Sequence, residues 1–312
     1  MKTVRLGRTG LLISRIGLGT AEIGFAYGIG KRELPSETEA INFLKQAVDL
    51  GITFFDTANY YGLAEERIGK SGILKNTEVV VETKCAQFLE KGEYFPRSEL
   101  AEKIYSQVED SLTKLQIETL PILMLHGPSK EQIEKGELIE ILEKLKHDGK
   151  IQFTGVSTRG EEPPLAAITS GFFDIIQVAY SILDQRMAPR VLPAAKKVSV
   201  GVVNRSVLLK GTLTSLRKDL PMGLELLKSQ AEKINLLAKS LGTDLATLAI
   251  RFVLNNPDIN VSLIGTNKIE NLTRAIEAIA AELLPEEIIV QLEKLALTDP
   301  NQIDPAKWPP LS

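Results

Sequence analysis

Short runs of apolar residues alternate along this chain with longer stretches in which apolar and polar residues are mixed. The runs are rich in valine, isoleucine and leucine, which is typical of strands buried on both faces of a parallel sheet. The mixed stretches repeat their apolar residues at steps of three and four, a spacing that predicts amphipathic helices. Eight core strands are predicted, most of them followed by a helix, at residues 15–18, 52–55, 78–83, 120–125, 151–156, 174–178, 199–203 and 260–264. Eight β/α units close into a barrel, so the predicted fold class is α/β, a (β/α)8 TIM barrel.

Several elements are added to the predicted barrel. Val4-Arg-Leu6 and Leu11-Leu-Ile13 flank a turn with a glycine at each end, which predicts an N-terminal β-hairpin. Ser36 and Glu39 form a capping-box pattern that begins the first helix. Extra helices late in the chain and an irregular C-terminal tail complete the pattern, and the absence of a linker predicts a single domain over residues 1–312. The later helices are predicted at residues 64–73, 98–115, 138–146, 165–169, 191–197, 224–241, 244–255, 269–281 and 285–296, ahead of the tail at 298–312.

Composition and charge restrict the partners that this chain is expected to have. The net charge of −3 provides no basic surface, which argues against nucleic acid or an acidic membrane as a partner. Cys85 is the single cysteine, so an internal disulfide is impossible and a reducing, cytoplasmic location is expected. Two histidines argue against a zinc site, and no apolar run has the length of a transmembrane helix or the character of a signal peptide. The oligomeric state stays open between a monomer and a small homo-oligomer.

Four polar side chains are predicted at the carboxyl ends of neighbouring strands, the edge of a parallel barrel where active sites are built. Asp56 ends the second core strand, and Tyr61 lies on the loop after it. Lys84 ends the third strand and His126 ends the fourth. An ammonium beside a phenol favours the phenolate, which brings the phenol proton within reach of chemistry near neutral pH. Asp56 would keep Lys84 charged, and His126, whose own charge is disfavoured by burial, could donate a hydrogen bond to a substrate oxygen.

Several short motifs lie at residues 17–20, 55–62, 83–84, 125–126, 155–157, 177 and 264–266. Together they resemble the aldo-keto reductase superfamily across essentially the whole chain. Residues 180–187 resemble the bacterial branch of the family, whose members are like sugar dehydrogenases or channel β subunits. The step from Asp56 to Tyr61 is that of the family, and the resemblance implies a catalytic tetrad of Asp56, Tyr61, Lys84 and His126.

The resemblance implies an NAD(P)H-dependent oxidoreductase that interconverts carbonyls and alcohols by hydride transfer. The partner is then a small-molecule aldehyde, ketone or sugar. Tyr61 would protonate the carbonyl oxygen during reduction and act as the base during oxidation. Lys84, paired with Asp56, would tune Tyr61, and His126 would orient the carbonyl group.

The resemblance also implies a set of cofactor contacts. Thr20 and Asp56 would face the nicotinamide ribose, and Ser157 and Gln177 would hold the carboxamide. A loop after the seventh strand would bind the pyrophosphate, and a helix N-terminus after the eighth would bind the 2′-phosphate of NADP. The residues expected in these two regions are Arg205, Ser206, Leu208 and Gly211, and then Gly265, Thr266, Asn267, Lys268 and Asn271.

Three positions depart from the family pattern. Thr158 stands where the family has Asn after the serine, so one hydrogen bond to the carboxamide is lost or moved. Arg205 stands where an aromatic ring often stacks on the nicotinamide; its guanidinium either stacks in the same way or belongs to the surface. Asn267 replaces the usual Arg or Lys at the 2′-phosphate, with Lys268 beside it. NADP(H) is therefore favoured as the cofactor, with NAD(H) as the alternative.

Two other functions stay open at this level. The first is a cofactor-binding regulatory protein with little turnover, like the potassium-channel β subunits that share the fold. The second is a Schiff-base enzyme with Lys84 as nucleophile, which requires a neutral amine, whereas Asp56 would keep that amine charged. Substrate identity is poorly specified, and the candidate pocket walls are Phe25, Tyr27, Tyr60, Cys85, Phe88 and Trp308.

Overall fold

Eight parallel strands form a closed barrel, and each coincides with or overlaps a run that the sequence predicts as a strand. The computed structural model describes residues 3–30 and 33–309, in which the strands are β1 (Thr3–Arg5), β2 (Leu12–Ser14), β3 (Ile16–Gly19), β4 (Phe54–Asp56), β5 (Val80–Cys85), β6 (Leu120–His126), β7 (Ile151–Ser157), β8 (Ile175–Ala179), β9 (Gly201–Arg205) and β10 (Val261–Gly265). Strands β3 to β10 pair in sequence order, and β10 closes the ring by pairing with both β9 and β3. The predicted (β/α)8 barrel is confirmed.

The helices follow the predicted alternation with small shifts at their ends. They are α1 (Glu37–Asp49), α2 (Ala64–Ser71), α3 (Arg97–Leu115), α4 (Lys130–Glu134), α5 (Glu137–His147), α6 (Glu162–Ser170), α7 (Val191–Lys197), α8 (Glu225–Ser240), α9 (Leu245–Leu254), α10 (Ile269–Ala280), α11 (Glu286–Glu293) and α12 (Pro300–Ile303). Helices α8 and α9 are the two predicted before the last strand, and α12 is a short turn within the tail. Within residues 3–30 and 33–309, no helix is both long and apolar enough to cross a membrane.

Local sequence signals account for several of these boundaries. Ser36 and Glu39 form the predicted capping box, with the Glu39 N–H donating to Ser36 Oγ at 3.3 Å and the Ser36 N–H donating to Glu39 Oε2 at 2.8 Å. The same device begins α4, which the pattern of apolar residues did not predict, because Ser129 and Gln132 cap each other in the same way. Strand β4 begins later than predicted because the Thr53 N–H donates to a side chain of the hairpin, Ser14 Oγ, at 3.0 Å.

The hairpin β1–β2 closes the amino end of the barrel. Leu6 and Ile13 are fully buried and form one apolar cluster with the side chains that fill this end. Arg8 fastens the hairpin, because its N–H donates to Ser199 O at 2.6 Å and its guanidinium lies 3.2 Å from Asp174 Oδ1. Each large apolar side chain buried here contributes about 1.5–3 kcal/mol, so this end stabilises the fold. The barrel residues of the cluster are Phe54, Val80, Ile122, Met124, Ile175, Val203, Val261 and Leu263.

The interior changes character towards the carboxyl ends of the same strands. Side chains two residues apart on a strand point to the same face, so the residues that follow the apolar cluster also face the barrel axis. Here the buried side chains are ionisable or amide groups, namely Asp56, Glu82, Lys84 and Gln177.

Candidate active site

Lys84 and Asp56 form a buried ion pair at the carboxyl end of the barrel. Asp56 is the last residue of β4 and Lys84 lies near the end of β5, so the pairing of these two neighbouring strands brings their side chains together. Lys84 Nζ forms a short hydrogen bond to Asp56 Oδ1 and also donates to Thr57 O at 2.8 Å. Burial lowers the pKa of Lys84, but the negative charge of Asp56 leads a set of neighbours that together raise it above its usual value. Lys84 is therefore a fixed cation.

Tyr61 lies against this cation. Lys84 Nζ is 4.9 Å from the centroid of the Tyr61 ring. Burial raises the pKa of the Tyr61 phenol to about 12, and the positive charge of Lys84 opposes that shift. The ammonium thus acts in the predicted direction, but the loss of water around the phenol outweighs it. Tyr61 is a protonated acid across the neutral range.

His126, the last residue of β6, also lies beside Tyr61. The two ring centroids are 6.1 Å apart and the rings meet edge to face. Burial, helped by the charge of Lys84, lowers the pKa of His126 to about 3, so the imidazole is neutral. Its Nδ1 is buried and has no hydrogen-bond partner among the described residues. A neutral imidazole in this place can donate a hydrogen bond to an oxygen held beside the phenol.

The loop that carries Tyr61 is fastened to the barrel by its backbone. The Asn59 N–H donates to Lys84 O at 2.9 Å, and the Tyr61 N–H donates to Ala58 O at 2.8 Å. Gly24 lets the loop after β3 pack directly on it, because a Cβ at Gly24 would lie only 1.9 Å from Tyr61 O. Gly62 meets Gly24 in the same contact with a φ of +53°, a conformation that favours glycine. The phenol is therefore presented by a rigid turn.

Gln177 on β8 connects this cluster with Ser157 at the end of β7. Its amide nitrogen donates to Asp56 Oδ1 at 2.7 Å and to Glu82 Oε1 at 2.6 Å. Its oxygen accepts a hydrogen bond of 2.8 Å from Ser157 Oγ. Both N–H groups thus turn into the barrel, and the amide oxygen lies on the side of Ser157. Sequence reasoning missed Glu82; its only signal was a carboxylate inside the apolar run of β5.

Thr20, at the end of β3, is buried beside Asp56. Its N–H and its hydroxyl both donate to the Asp56 backbone oxygen, at 2.9 and 2.8 Å. The expected ribose contact would therefore have to use a hydroxyl that is already engaged as a donor. This pair of bonds also fixes the end of β4, from which the Tyr61 loop starts.

Thr158 and Arg205 lie together at the mouth of the barrel. Arg205 donates to Thr158 O at 2.8 Å and to Ser206 Oγ at 3.3 Å. Burial and the neighbouring positive charge of Arg159 lower the pKa of Arg205. Thr158 Oγ1 is buried and has no partner within the described residues. Thr158 and Arg205 border a narrow crevice between the ends of β7, β8 and β9 and the tail. An unsatisfied hydroxyl beside Ser157 and Gln177 fits a polar ligand such as a carboxamide.

The two expected phosphate regions are loops at the same end of the barrel. After β9, Ser206 has a φ of +63° and Gly211 a φ of +96°, and Leu208 precedes a short 3₁₀ turn. After β10, Thr266 Oγ1 accepts hydrogen bonds of 3.1 Å from both the Lys268 N–H and Asn271 Nδ2. The other members of the predicted set follow the same loop, with Gly265 and Lys268 exposed and Asn267 partly buried. Helix α10 starts directly after Lys268 without a side-chain cap on its first turn.

The candidate pocket walls separate into two groups. Phe25 contacts Tyr61 at a centroid distance of 6.1 Å and Tyr27 at 5.5 Å, so these rings border the phenol. Cys85 is buried in the core outside the barrel, and burial raises the pKa of its thiol to about 12. The remaining candidates do not form one wall: Tyr60 is largely exposed, Phe88 packs on Phe95, and the Trp308 indole donates to Gln302 O.

Fold and site together define a class: a parallel (β/α)8 barrel with a phenol, an ammonium, a carboxylate and an imidazole gathered at the carboxyl ends of its strands. The chain belongs to the aldo/keto reductase family, whose family model matches residues 15–296. Membership makes it an oxidoreductase that uses a nicotinamide cofactor.

Individual relatives agree with this assignment. The chain is 30% identical to L-galactose dehydrogenase of Arabidopsis thaliana over 290 residues, which cover 88% of this chain and 86% of that protein. It is 29% identical to the aldo-keto reductase YhdN of Bacillus subtilis, with 86% of each chain covered. Among solved structures, it resembles the holo form of aldo-keto reductase AKR11C1 from Bacillus halodurans. There the TM-score is 0.77 and the identity 27%, with 95% of this chain and 97% of that chain covered.

Proposed function

We propose that this chain is an NAD(P)H-dependent carbonyl reductase or alcohol dehydrogenase in which Tyr61 is the general acid and base. The observation that carries the proposal is the contact of Lys84 with both Asp56 and the Tyr61 ring. A carboxylate that fixes an ammonium, which in turn faces a phenol, is an arrangement for moving one proton at a defined place.

The proposed reaction can be written from the residues of this site. When bound, the reduced nicotinamide supplies a hydride to the carbonyl carbon. The Tyr61 hydroxyl gives its proton to the carbonyl oxygen, which becomes the alcohol, and Lys84 stabilises the phenolate left behind. His126 donates a hydrogen bond to the same oxygen and thereby orients the carbonyl. Solvent returns the proton to Tyr61, and in oxidation the phenolate accepts the alcohol proton.

The cofactor would lie across the ends of β7 to β10. Thr158 Oγ1 is one unsatisfied buried group there, and Thr212 Oγ1, in the loop after β9, is another. Ser157 and Gln177 would face the carboxamide, and the uncapped start of α10 with Lys268 would face the 2′-phosphate. We propose NADP(H) as the principal cofactor and NAD(H) as a weaker one. The amide of Asn267 cannot supply the positive charge that the family usually has at that place.

Small aldehydes, ketones and sugars are the proposed substrates. Because the chain is similar to a plant L-galactose dehydrogenase, the first panel of substrates to be tested should include aldoses. The test is a parallel measurement of NADPH and NADH consumption with this panel, together with cofactor titration by fluorescence quenching. We expect turnover with at least one carbonyl and tighter binding of NADPH. Cofactor binding without turnover on any carbonyl or alcohol would instead support the regulatory alternative.

A further inference from the structure

Two carboxyl groups lie side by side beneath the proposed proton donor. Asp56 and Glu82 are register partners on β4 and β5, so their side chains enter the barrel at the same level. One nitrogen, Gln177 Nε2, donates to Asp56 Oδ1 at 2.7 Å and to Glu82 Oε1 at 2.6 Å. An amide nitrogen has two N–H groups, so this pair of bonds uses both. The mechanism proposed above uses Asp56 and Gln177 but gives Glu82 no role.

The charges in this space balance only if one carboxyl group holds a proton. Glu82 is 0% exposed, Lys84 1% and Asp56 4%, so water screens none of them appreciably. Lys84 brings one positive charge to the cluster, whereas two ionised carboxylates would bring two negative charges. An uncompensated charge in such a place is strongly destabilising. Burial, and after it the charge of Asp56, raise the pKa of Glu82, against the opposing effect of Lys84.

The hydrogen-bond pattern places that proton on Glu82. Asp56 Oδ1 already accepts from Lys84 and from Gln177, as an ionised carboxylate does. Glu82 Oε1 accepts from Gln177, whereas Glu82 Oε2 is buried and receives no donor from the described residues. The Asp56 carboxylate is within hydrogen-bonding reach of the Glu82 carboxyl group. A proton on Glu82 therefore has an acceptor in the Asp56 carboxylate.

We propose that Glu82 is a positioning residue that, as a neutral carboxylic acid, joins the proton-donating half of the site to the cofactor half. It donates to Asp56, the carboxylate that orients Lys84, and it accepts from Gln177, the amide beside Ser157. Because both N–H groups of Gln177 are held inside the barrel, its oxygen is presented to the place proposed for the carboxamide. This inference rests on the proposed function for the roles of Lys84 and Gln177, but the protonation of Glu82 is a property of the protein alone.

The experiment uses two substitutions at Glu82 and one matched control. Glu82→Gln keeps one donor and one acceptor, whereas Glu82→Leu removes both and fills a similar volume. Glu65→Gln is the control, because Glu65 is an equally buried carboxyl group that accepts a hydrogen bond from Thr83 Oγ1 at 2.5 Å, outside the proposed site. The readouts are kcat, the dissociation constant of NADPH, the pH profile of kcat, and the infrared spectrum of the cofactor-free protein.

At neutral pH, the infrared difference spectrum of wild type minus Glu82→Gln should contain the carbonyl band of a protonated carboxyl group. The spectrum of Glu65→Gln should retain that band. We expect Glu82→Gln to stay within about threefold of wild type in kcat and in NADPH affinity, with the same pH profile. Glu82→Leu should lose about tenfold to a hundredfold in kcat, since Asp56 and Gln177 each lose a buried partner.

Three results would overturn the proposal. They are a difference spectrum with carboxylate bands only, a Glu82→Gln loss as large as that of Glu82→Leu, and wild-type behaviour of Glu82→Leu. If Glu82→Leu does not fold, the infrared spectrum and the pH profile of Glu82→Gln still decide whether Glu82 is protonated and whether the conservative variant keeps its role. If the wild type turns over no carbonyl, the proposed function fails, while the infrared band and NADPH binding still test Glu82.

Discussion

The two ends of the barrel interior lie on the same strands but are lined by different side chains, apolar at the amino end and ionisable at the carboxyl end. On β4 the step from Phe54 to Asp56, and on β5 the step from Val80 to Glu82, crosses from an apolar cluster into a network of ionisable groups. Two residues along a strand correspond to roughly 7 Å. Within that distance the dominant force changes from the burial of apolar surface to the pairing of charges and hydrogen bonds.

Stability and chemistry are therefore separated along the barrel axis. We call the apolar cluster at the amino end the apolar level and the ionisable groups at the carboxyl end the polar level. The amino end is closed by the hairpin, with Leu6 and Ile13 buried among the apolar side chains that fill it. At the carboxyl end, Tyr61 and His126 are partly exposed, whereas the charged groups next to them are buried from solvent. A substitution at one level should therefore change one property and leave the other nearly intact.

The largest effect is expected at the polar level, from Tyr61→Phe. Removing the phenol oxygen takes away the proposed proton donor, and general acid catalysis typically contributes about 10²- to 10⁴-fold. We expect kcat for carbonyl reduction to fall by that factor, with NADPH affinity and melting temperature close to wild type. Stopped-flow absorbance and fluorescence titration measure the two quantities. Turnover like that of the wild type would remove Tyr61 from the mechanism.

Phe54→Ala tests the apolar level. Phe54 is fully buried, and truncation of such a ring costs about 3–5 kcal/mol in the free energy of unfolding. Urea denaturation should show that loss, while kcat well below the melting temperature stays within a few fold of wild type. Leu12→Ala is the matched control, since Leu12 is 59% exposed and its loss should cost less than about 0.5 kcal/mol. A selective loss of kcat in a stable Phe54→Ala protein would contradict the separation of the two levels.

A smaller effect is expected from Lys268→Ala at the rim. The proposed contact of this cation with the 2′-phosphate lies in an exposed place, where ion pairs are worth about 0.2–1 kcal/mol. NADPH binding should weaken by a few fold and NADH binding should stay the same, as measured by fluorescence titration. Equal weakening of both would show that Lys268 does not contact the 2′-phosphate.

The smallest effect is expected from pH. Tyr61, with its pKa at about 12, stays protonated, and His126, with its pKa at about 3, stays neutral. The rate of hydride transfer in reduction should therefore be nearly flat between about pH 6 and about pH 9, whereas alcohol oxidation should rise with pH because it needs the phenolate. Single-turnover rates measure both. A reductive rate that follows a group titrating near pH 7 would show that another acid is in control.

The contrast between the two ends also shows what the sequence could predict. The strand pattern predicted the barrel, and the spacing from Asp56 to Tyr61, with Lys84 and His126 at strand ends, predicted which side chains meet. The carboxyl ends of neighbouring parallel strands lie at one edge of a barrel, and that rule is sufficient for this prediction. The capping box at Ser36 was predicted because its two residues are only three apart in sequence.

Features that depend on closure of the whole barrel were not predictable from the sequence. Gln177 contacts Asp56 across 121 residues, and Glu82 becomes part of the site only when neighbouring strands fix its register. The pKa of Tyr61 depends on how completely the folded chain removes water from the phenol, and burial outweighs the charge of Lys84. Sequence reasoning identified the charge but could not weigh the two effects.

A double-mutant cycle on Tyr61→Phe and Lys84→Met tests most directly the claim that Lys84 acts through Tyr61. Groups that work as a unit show losses that do not add, because removal of one leaves the other without a function. If Lys84 acts through Tyr61, the single-turnover rate of the double variant should be about that of Tyr61→Phe alone. A double variant whose loss equals the product of the two single losses would contradict it.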